Sequence, residues 1–146
     1  MDSPNIRPDA NGIGIAGEVQ RVDFGRTLSS TVDAVSQLLG APPATSVLNP
    51  ECGAGPTTIV QYPQIDLLFL DDTFRGWVTQ NPGTVAGNGL SPGVTRTQLE
   101  NGGYGPFEET TLGVEFDAAG VFGQLPTDDD SAPIQTLWAG TNCFFR

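Results

Sequence analysis

One stretch of the chain, residues 23–43, carries apolar residues at helical spacing. Its apolar positions are Leu28, Val32, Val35 and Leu39. They fall at i, i+4, i+7 and i+11, so they share one face of a helix of about three turns. Gly40 and the prolines that follow it end the helix, because glycine accepts a left-handed turn and proline cannot continue a helix. The pattern predicts an amphipathic helix whose apolar stripe packs on a sheet.

The start of this helix has two candidate caps. Thr27 is one, and Ser30 is the other, because Ser30 and Asp33 have the Ser-x-x-acid spacing of a capping box. Upstream, alternation over residues 18–24 predicts a short edge strand with Val19 or Val22 facing inward. The polar residues 1–11 predict an extended lead-in, and the glycine-rich residues 12–17 predict a turn that approaches the core closely.

Downstream of the helix the apolar spacing shortens to that of strands. Residues 57–62, 66–70 and 74–79 are rich in β-formers, and the dipeptide Asp71-Asp72 supplies a turn. Strict alternation in the last of these segments separates Phe74 from Trp77, so we expect Trp77 either to cap a second small cluster or to be partly exposed. The segment order is typical of an antiparallel meander.

A loop at residues 81–93, rich in glycine and proline, divides this half from a second one. There Thr95 and Gln98 again have capping-box spacing, which predicts a helix of one or two turns before Gly102-Gly103. Strands are predicted at residues 110–116, 120–125, 134–139 and 143–145, with an acidic loop at 127–133.

The same order of features occurs in both halves: a Gly-x-Thr turn, a helix, a break with glycine and proline, and strands that end near a tryptophan. The turns are Gly25-Arg26-Thr27 and Gly93-Val94-Thr95. The fold prediction is therefore α+β, with an antiparallel sheet packed by one main amphipathic helix. Residues 12–146 form either one domain or two unequal helix-plus-sheet half-units at residues 12–80 and 90–146.

The chain is strongly acidic, and this charge limits the classes of partner that it can bind. It has 146 residues, with 17 acidic and 6 basic ones and a net charge of −11. Nucleic acid and anionic membranes are poor partners, because both are bound largely through lysine and arginine. The charge either only keeps the protein soluble or attracts a protein with a basic patch. No apolar run is long enough to span a membrane.

Two residue types are missing altogether, histidine and lysine. Their absence excludes histidine-activated nucleophiles, histidine-bound metals, Schiff bases and a Walker lysine. Carboxylates are the remaining catalytic groups, and the candidate pairs and runs are Asp71-Asp72, Glu108-Glu109, Glu115 with Asp117, and Asp128-Asp129-Asp130. Glu115 and Asp117 could share one face of a strand, and the alternative for all these carboxylates is that they lie in solvated turns and strand edges. The run at 128–130 lacks the spaced ligands of an EF-hand, so no metal site and no cofactor are expected.

The two cysteines, Cys52 and Cys143, are too few for a structural zinc site. They are either disulfide-bonded, which implies an oxidising compartment, or two buried thiols. With a disulfide, we expect a secreted or periplasmic protein; the first twelve residues are not a signal peptide, so the sequence here would start after the signal.

The run from Phe24-Gly25-Arg26-Thr27 to Leu39-Gly40-Ala41-Pro42 carries a family resemblance. It resembles the helix-plus-sheet unit found singly in outer-membrane lipoproteins of the small protein A type and in tandem in β-lactamase inhibitor proteins. The segments 51–56 and 137–146 are similar to uncharacterised exported bacterial proteins. The chain departs from the lipoproteins in having no lipobox cysteine near Met1, and no functional residue is carried over. The resemblance implies a tandem fold and a binding or inhibitory role.

The aromatic residues are the remaining candidates for recognition, with Trp77, Tyr62, Tyr104 and Trp138 as the binding residues and Phe107 beside them. The alternative is that both tryptophans belong to the core. The functional expectation is a non-enzymatic, exported protein-binding or inhibitor-like module that uses the sheet face left uncovered by the helix. The alternatives are a small carboxylate-using hydrolase and a purely structural envelope protein.

Overall fold

The computed structural model describes residues 6–16, 19–52 and 55–141, and these residues form an α+β fold with antiparallel sheets. The two helices are α1 (Leu28–Leu39) and α2 (Arg96–Asn101). The strands are β1 (Ile6–Asp9), β2 (Gly12–Ile15), β3 (Arg21–Asp23), β4 (Thr45–Asn49), β5 (Thr57–Gln61), β6 (Asp66–Leu70), β7 (Thr73–Thr79), β8 (Glu108–Thr110), β9 (Gly113–Ala118), β10 (Val121–Leu125) and β11 (Thr136–Gly140).

Eight of these strands form one large sheet with the order β4-β5-β6-β7-β11-β10-β9-β8. Each half of the chain contributes a four-stranded meander, and the last strands of the two meanders, β7 and β11, pair antiparallel in the middle. The order is therefore symmetric about the β7–β11 pair. Each meander follows its own helix along the chain.

Helix α1 confirms the predicted amphipathic helix, with Thr27 rather than Ser30 as its cap. The Thr27 hydroxyl accepts a hydrogen bond from the Ser30 amide at 3.3 Å, and Gly40 ends the helix with a left-handed φ of 74°. Val35 and Leu39 of the predicted stripe are buried in the core that also contains Trp77. The other two stripe residues, Leu28 and Val32, are partly buried and pack against that core.

The first 23 residues differ most from the prediction. Residues 6–15 form β1 and β2 instead of an extended lead-in and a turn, and β3 completes a three-stranded sheet. Ile6 and Ile13 are almost completely buried, because this small sheet packs on the main core. Val22 is the inward residue of β3, whereas Val19 is 97% exposed.

A β-bulge changes which side chains of β7 face the core. Leu68 pairs with Gly76 and Phe69 with Phe74, so the register skips Arg75. The skipped residue shifts the alternation, and Phe74 and Trp77 are both fully buried in one core. The prediction that Trp77 lies on the face opposite Phe74, where it caps a second small cluster or is partly exposed, is therefore wrong, and the alternative that Trp77 belongs to the core is confirmed.

In the second half, the predicted strand at residues 110–116 is a hairpin of β8 and β9 joined at Thr111-Leu112. The capping box predicted for α2 is confirmed: the Thr95 side chain accepts from the Gln98 amide, and the Gln98 side chain accepts from the Thr95 amide. Leu99 is the residue by which α2 enters the core.

The two helices start from equivalent backbone contacts. The amide of Gly25 donates to Phe74 at 2.8 Å, and the amide of Gly93 donates to Ile134 at 2.9 Å. Thr27 forms a bridge with Thr73, as Thr95 does with Pro133. Both glycines have a φ of 105°, which favours glycine, so the repeated Gly-x-Thr turn reflects one backbone geometry.

Several predictions concern residues outside the described ranges. The predicted strand at 143–145 lies there, and so does Cys143. Cys52 is 6% exposed, and no described cysteine is a free thiol. Because Cys143 lies outside the described ranges, its pairing with Cys52 stays a prediction. Among the described residues, neither helix is long and apolar enough to cross a membrane.

Candidate functional site

A row of side chains crosses the large sheet on the face that points away from the core around Trp77. Successive register pairs link Asp66 to Val78, Val78 to Trp138, Trp138 to Phe122 and Phe122 to Asp117. Directly opposed residues share a sheet face, so these five belong to one face, here called the outer face. The row places apolar side chains at the centre and a carboxylate at each end.

The centre of the row is an aromatic stack of Phe122 on Trp138. The two ring centroids are 5.9 Å apart, and the ring planes differ by 18°. Trp138 is only 1% exposed, whereas Phe122 remains partly exposed. Phe122 is therefore the ring of this pair that a partner can contact, and Trp138 packs against it on the neighbouring strand.

Beside Phe122 lies a cavity of about 310 Å³, called the acidic groove. Its lining residues are Pro106, Glu108, Thr110, Glu115, Phe116, Asp117 and Phe122. The three carboxylates lie together for two reasons. Glu115 and Asp117 are two positions apart on β9 and so share one face, and Glu108 on β8 pairs directly with Glu115. Like charges in direct opposition repel each other, and none of the lining residues is basic. The groove therefore attracts cations.

The groove carboxylates are partly held in place by local hydrogen bonds. The Thr110 hydroxyl donates to Glu115 Oε2 at 2.5 Å, and the Gly120 amide donates to Asp117 Oδ1 at 2.8 Å. The second bond closes the tight turn between β9 and β10, where Ala119 has a φ of 56°. The Asp117 carboxylate retains oxygen lone pairs for a partner, because a carboxylate offers about four acceptor sites.

At the other end of the row, Asp66 lines a cavity of about 400 Å³ together with Gln64 and Gln80. Burial raises the pKa of Asp66, and a hydrogen bond from Gln61 partly offsets this increase. The Oε1 atom of Gln64 is buried without a hydrogen-bond partner. This end of the row is thus polar but less charged than the acidic groove.

The four aromatic residues predicted from the sequence as binding residues lie in different parts of the structure. Trp77 is fully buried, and its indole N–H donates to the carbonyl of Asp9 at 2.8 Å, which ties the small sheet to the large one. Tyr62 is 5% exposed, and its hydroxyl lies 2.8 Å from Ser36 Oγ on α1. Burial raises the pKa of Tyr62, so its hydroxyl stays protonated. Both residues hold core elements together, and Tyr62 in addition borders the cavity beside Asp66.

The other candidates lie in the second half of the chain. Tyr104 is partly exposed, and its hydroxyl donates to the carbonyl of Asn88 at 3.4 Å. Phe107 packs edge-on against Phe116 and carries the guanidinium of Arg96 over its face, 4.5 Å from the ring centroid. Neither lines the acidic groove; of the four binding candidates only Trp138 belongs to the outer face.

Of the carboxylate sets named from the sequence, the structure brings one into a groove. Glu115 and Asp117 share a face, as predicted. Asp71 and Asp72 form a turn with left-handed φ angles of 50° and 65°. In the acidic loop Asp128 forms an ion pair with Arg96. Among the described residues, no three acidic or cysteine side chains are arranged to hold a metal ion.

Sequence reasoning missed Phe122 and Glu108 as members of one site. One sequence signal for Phe122 was present, because it lies between buried residues in the strand at 121–125. Its position beside Asp117, however, depends on the register between β9 and β10. Comparison of the chain with protein-family models, with curated proteins and with solved structures gave no match.

Proposed function

We propose that this protein is a non-enzymatic binding module that takes a basic segment of a partner protein into the acidic groove. The observation that supports the proposal is the groove itself: three carboxylates and the partly exposed ring of Phe122 line one cavity without a basic residue. A lysine or arginine of the partner would pair with Glu108 and Glu115 and lie over the Phe122 ring.

The charge of the whole chain favours the same kind of partner. At a net charge of −11, the protein attracts a basic surface over a distance of about 8 Å at physiological salt. This attraction accelerates encounter, and the groove then supplies the specific contacts. Repulsion between Glu108 and Glu115 in the free protein would be relieved on binding, which adds to the affinity for a cation.

The neighbouring edge of the sheet offers a second means of recognition. Within the described part of the chain, β8 is the last strand of the large sheet and pairs only with β9, so its other side offers backbone groups that no described strand pairs. An extended basic segment would add to β8 as a ninth strand while its side chains enter the groove. The negative charges of Glu108 and Glu109 disfavour pairing with a second copy of this acidic chain.

The test uses a fluorescein-labelled tetra-arginine peptide, with a tetra-glutamate peptide as the charge-reversed probe, and measures fluorescence anisotropy at low and high salt. We expect tetra-arginine to bind and tetra-glutamate not to bind. Glu108→Gln should weaken binding about fivefold, because a partly exposed ion pair contributes about 1 kcal/mol. Phe122→Ala should weaken it by a similar factor.

The matched control is Glu109→Gln. Glu109 is the neighbouring exposed carboxylate of β8, but it pairs with Val114 and does not line the groove. If Glu108→Gln and Glu109→Gln weakened binding equally, binding would depend on net charge alone, and this would contradict the groove as the site.

Export and inhibition are parts of the same proposal. A Cys52–Cys143 disulfide would suit an oxidising compartment, and thiol titration of the denatured protein with and without reductant tests it. If the protein is an inhibitor, the basic partner is an enzyme that loses activity when the groove is filled. Turnover of a glycoside by the purified protein, abolished by Glu115→Gln, would instead favour a hydrolase.

A further inference from the structure

A third cavity differs from the acidic groove in having arginines in its lining. It has a volume of about 580 Å³ and lies between α1 and the small sheet. Its polar lining residues are Gln20, Arg21, Arg26 and Gln37. Two of the six basic residues of the chain therefore face one cavity, although acidic residues outnumber basic ones almost three to one. This cavity is called the arginine cleft.

The two guanidinium groups of the cleft are in different states. Arg21 is neutralised: its Nη2 donates to both carboxylate oxygens of Asp9 at 2.7 and 2.8 Å, and its Nε donates to Asp23 at 2.8 Å. Arg26 has no ion pair and no side-chain hydrogen bond within the described ranges. Arg26 is thus the charge in the cleft that remains available to a ligand.

The backbone at Arg26 is held in place by hydrogen bonds to β7. Its carbonyl accepts a hydrogen bond from the Phe74 amide at 2.8 Å, and the amide of the preceding Gly25 donates back to Phe74 at 2.8 Å. These two bonds fasten the turn before α1 to the start of β7. The backbone from which the guanidinium projects is therefore rigid, which lowers the entropy lost when a ligand binds.

The rest of the cleft wall is apolar. Ala34 and Leu38 contribute one face of α1, and Ile15 and Val22 contribute strands β2 and β3. A partly buried guanidinium without a partner beside apolar walls is unfavourable unless an anion compensates it. The volume falls within the range of about 300–1,000 Å³ that small-molecule sites occupy.

We propose that the arginine cleft binds a small free monocarboxylate with an apolar body, whose carboxylate pairs with Arg26. The guanidinium fork matches the planar carboxylate with two parallel hydrogen bonds, and the side-chain amides of Gln20 and Gln37, which also line the cleft, are further donors. A phosphate dianion fits less well, because only one charge is unpaired and Asp9 and Asp23 lie close to Arg21.

The experiment titrates the protein with sodium octanoate and follows backbone amide shifts by two-dimensional NMR. Octanol tests the need for the charge, and octyl phosphate distinguishes a carboxylate site from a general anion site. We expect saturable binding of octanoate, with the largest shifts at Arg26, Ala34 and Leu38, and at least fivefold weaker binding of octanol and of octyl phosphate.

Arg26→Gln should weaken octanoate binding at least tenfold, and Arg26→Lys should restore part of it, because lysine keeps the charge but not the fork. Arg75→Gln is the matched control, since Arg75 is an exposed arginine outside the cleft, and it should leave binding unchanged. Ala34→Phe should block the cleft without removing a charge.

The proposal is overturned if wild-type protein does not bind octanoate, or if folded Arg26→Gln protein binds it as tightly as wild type. Shifts confined to the acidic groove would also overturn it. The amide spectrum itself shows whether each variant is folded. The tetra-arginine experiment uses a different site, so the two proposals fail independently.

Discussion

The two helix-plus-meander units start in the same way and then differ in helix length. In the first unit α1 has 12 residues and contributes Thr31, Val35 and Leu39 to the interior, whereas α2 in the second unit has 6 residues and contributes Leu99. The Gly-x-Thr turn of the first unit contacts the start of β7, and that of the second contacts Pro133 and Ile134, just before β11. The comparison indicates that this junction, and not the helix length, is the invariant part of the unit.

The units also differ in the charge that they present. The arginine cleft borders the helix of the first unit, while the acidic groove is built from β8, β9 and β10 of the second. A longer helix provides a wall for a cleft against the small sheet. In the second unit the pairing of β8 with β9 places Glu108 beside Glu115 and Asp117.

The largest expected effect tests the dependence of the first unit on its helix. Val35→Asp places a carboxylate at a fully buried position without a partner, and we expect a loss of more than about 4 kcal/mol in the free energy of unfolding. Gln37→Asp, at an exposed position of the same helix, should cost less than about 1 kcal/mol. Chemical denaturation measures both, and a wild-type midpoint for Val35→Asp would show that the stripe is not buried.

The next effect concerns the contact between the units. Gly76 pairs with Gly140 across β7 and β11, and a Cβ at Gly76 would collide with the backbone carbonyl of Thr141. We expect Gly76→Ala to lower the free energy of unfolding by about 3 kcal/mol, because backbone must move to make room. Gly87→Ala, in a loop, is the control with a small effect. Similar denaturation midpoints for the two variants would contradict a close junction.

A smaller effect compares the two helix starts directly. Thr27→Ala and Thr95→Ala each remove a side-chain acceptor of an N-terminal amide, and each should cost about 1 kcal/mol. Serine at either position should restore most of the loss, because it keeps the hydroxyl. A measurable cost at Thr27 but none at Thr95 would mean that the two starts are not energetically equivalent.

The smallest effect is on pH dependence. Burial raises the pKa of Asp66 above its value in the unfolded chain, so the folded state retains this proton to a higher pH. The contribution of Asp66 to stability therefore falls as pH rises from about 4, the unfolded value, through its raised folded pKa. Asp66→Asn should remove this fall and flatten the stability profile above pH 4. An unchanged slope in that range would contradict the burial of the carboxylate.

Local sequence signals predicted the helices and most of the strands. The helix stripe, the Gly40 stop and the Thr95–Gln98 capping box depend on residues within a few positions of one another, and the structure confirms all three. Strands β1 and β2 were missed because each has four residues and contains proline or glycine, whereas β3 lies within the edge strand predicted at residues 18–24. The bulge that buries Trp77 was missed because it depends on the pairing of β6 with β7.

The candidate site was less predictable than the fold. The sequence indicated that Glu115 and Asp117 share a strand face and that the protein favours a basic partner. It did not indicate Phe122, and it named Glu108 only as the neighbour of Glu109; both reach the groove through pairing with β9. Nor did it single out Arg26, whose availability follows from the positions of all the acidic groups around it.

By itself, the sequence determined the amphipathic helix, the repeated helix starts, the acidic charge and the lack of histidine and lysine chemistry, because these are properties of neighbouring residues or of composition. Only the tertiary structure decided which aromatic residues are buried, which carboxylates meet, and which arginine lacks a partner. The physical reason is that strand register and packing bring together residues far apart in the chain, and no local pattern encodes those distances.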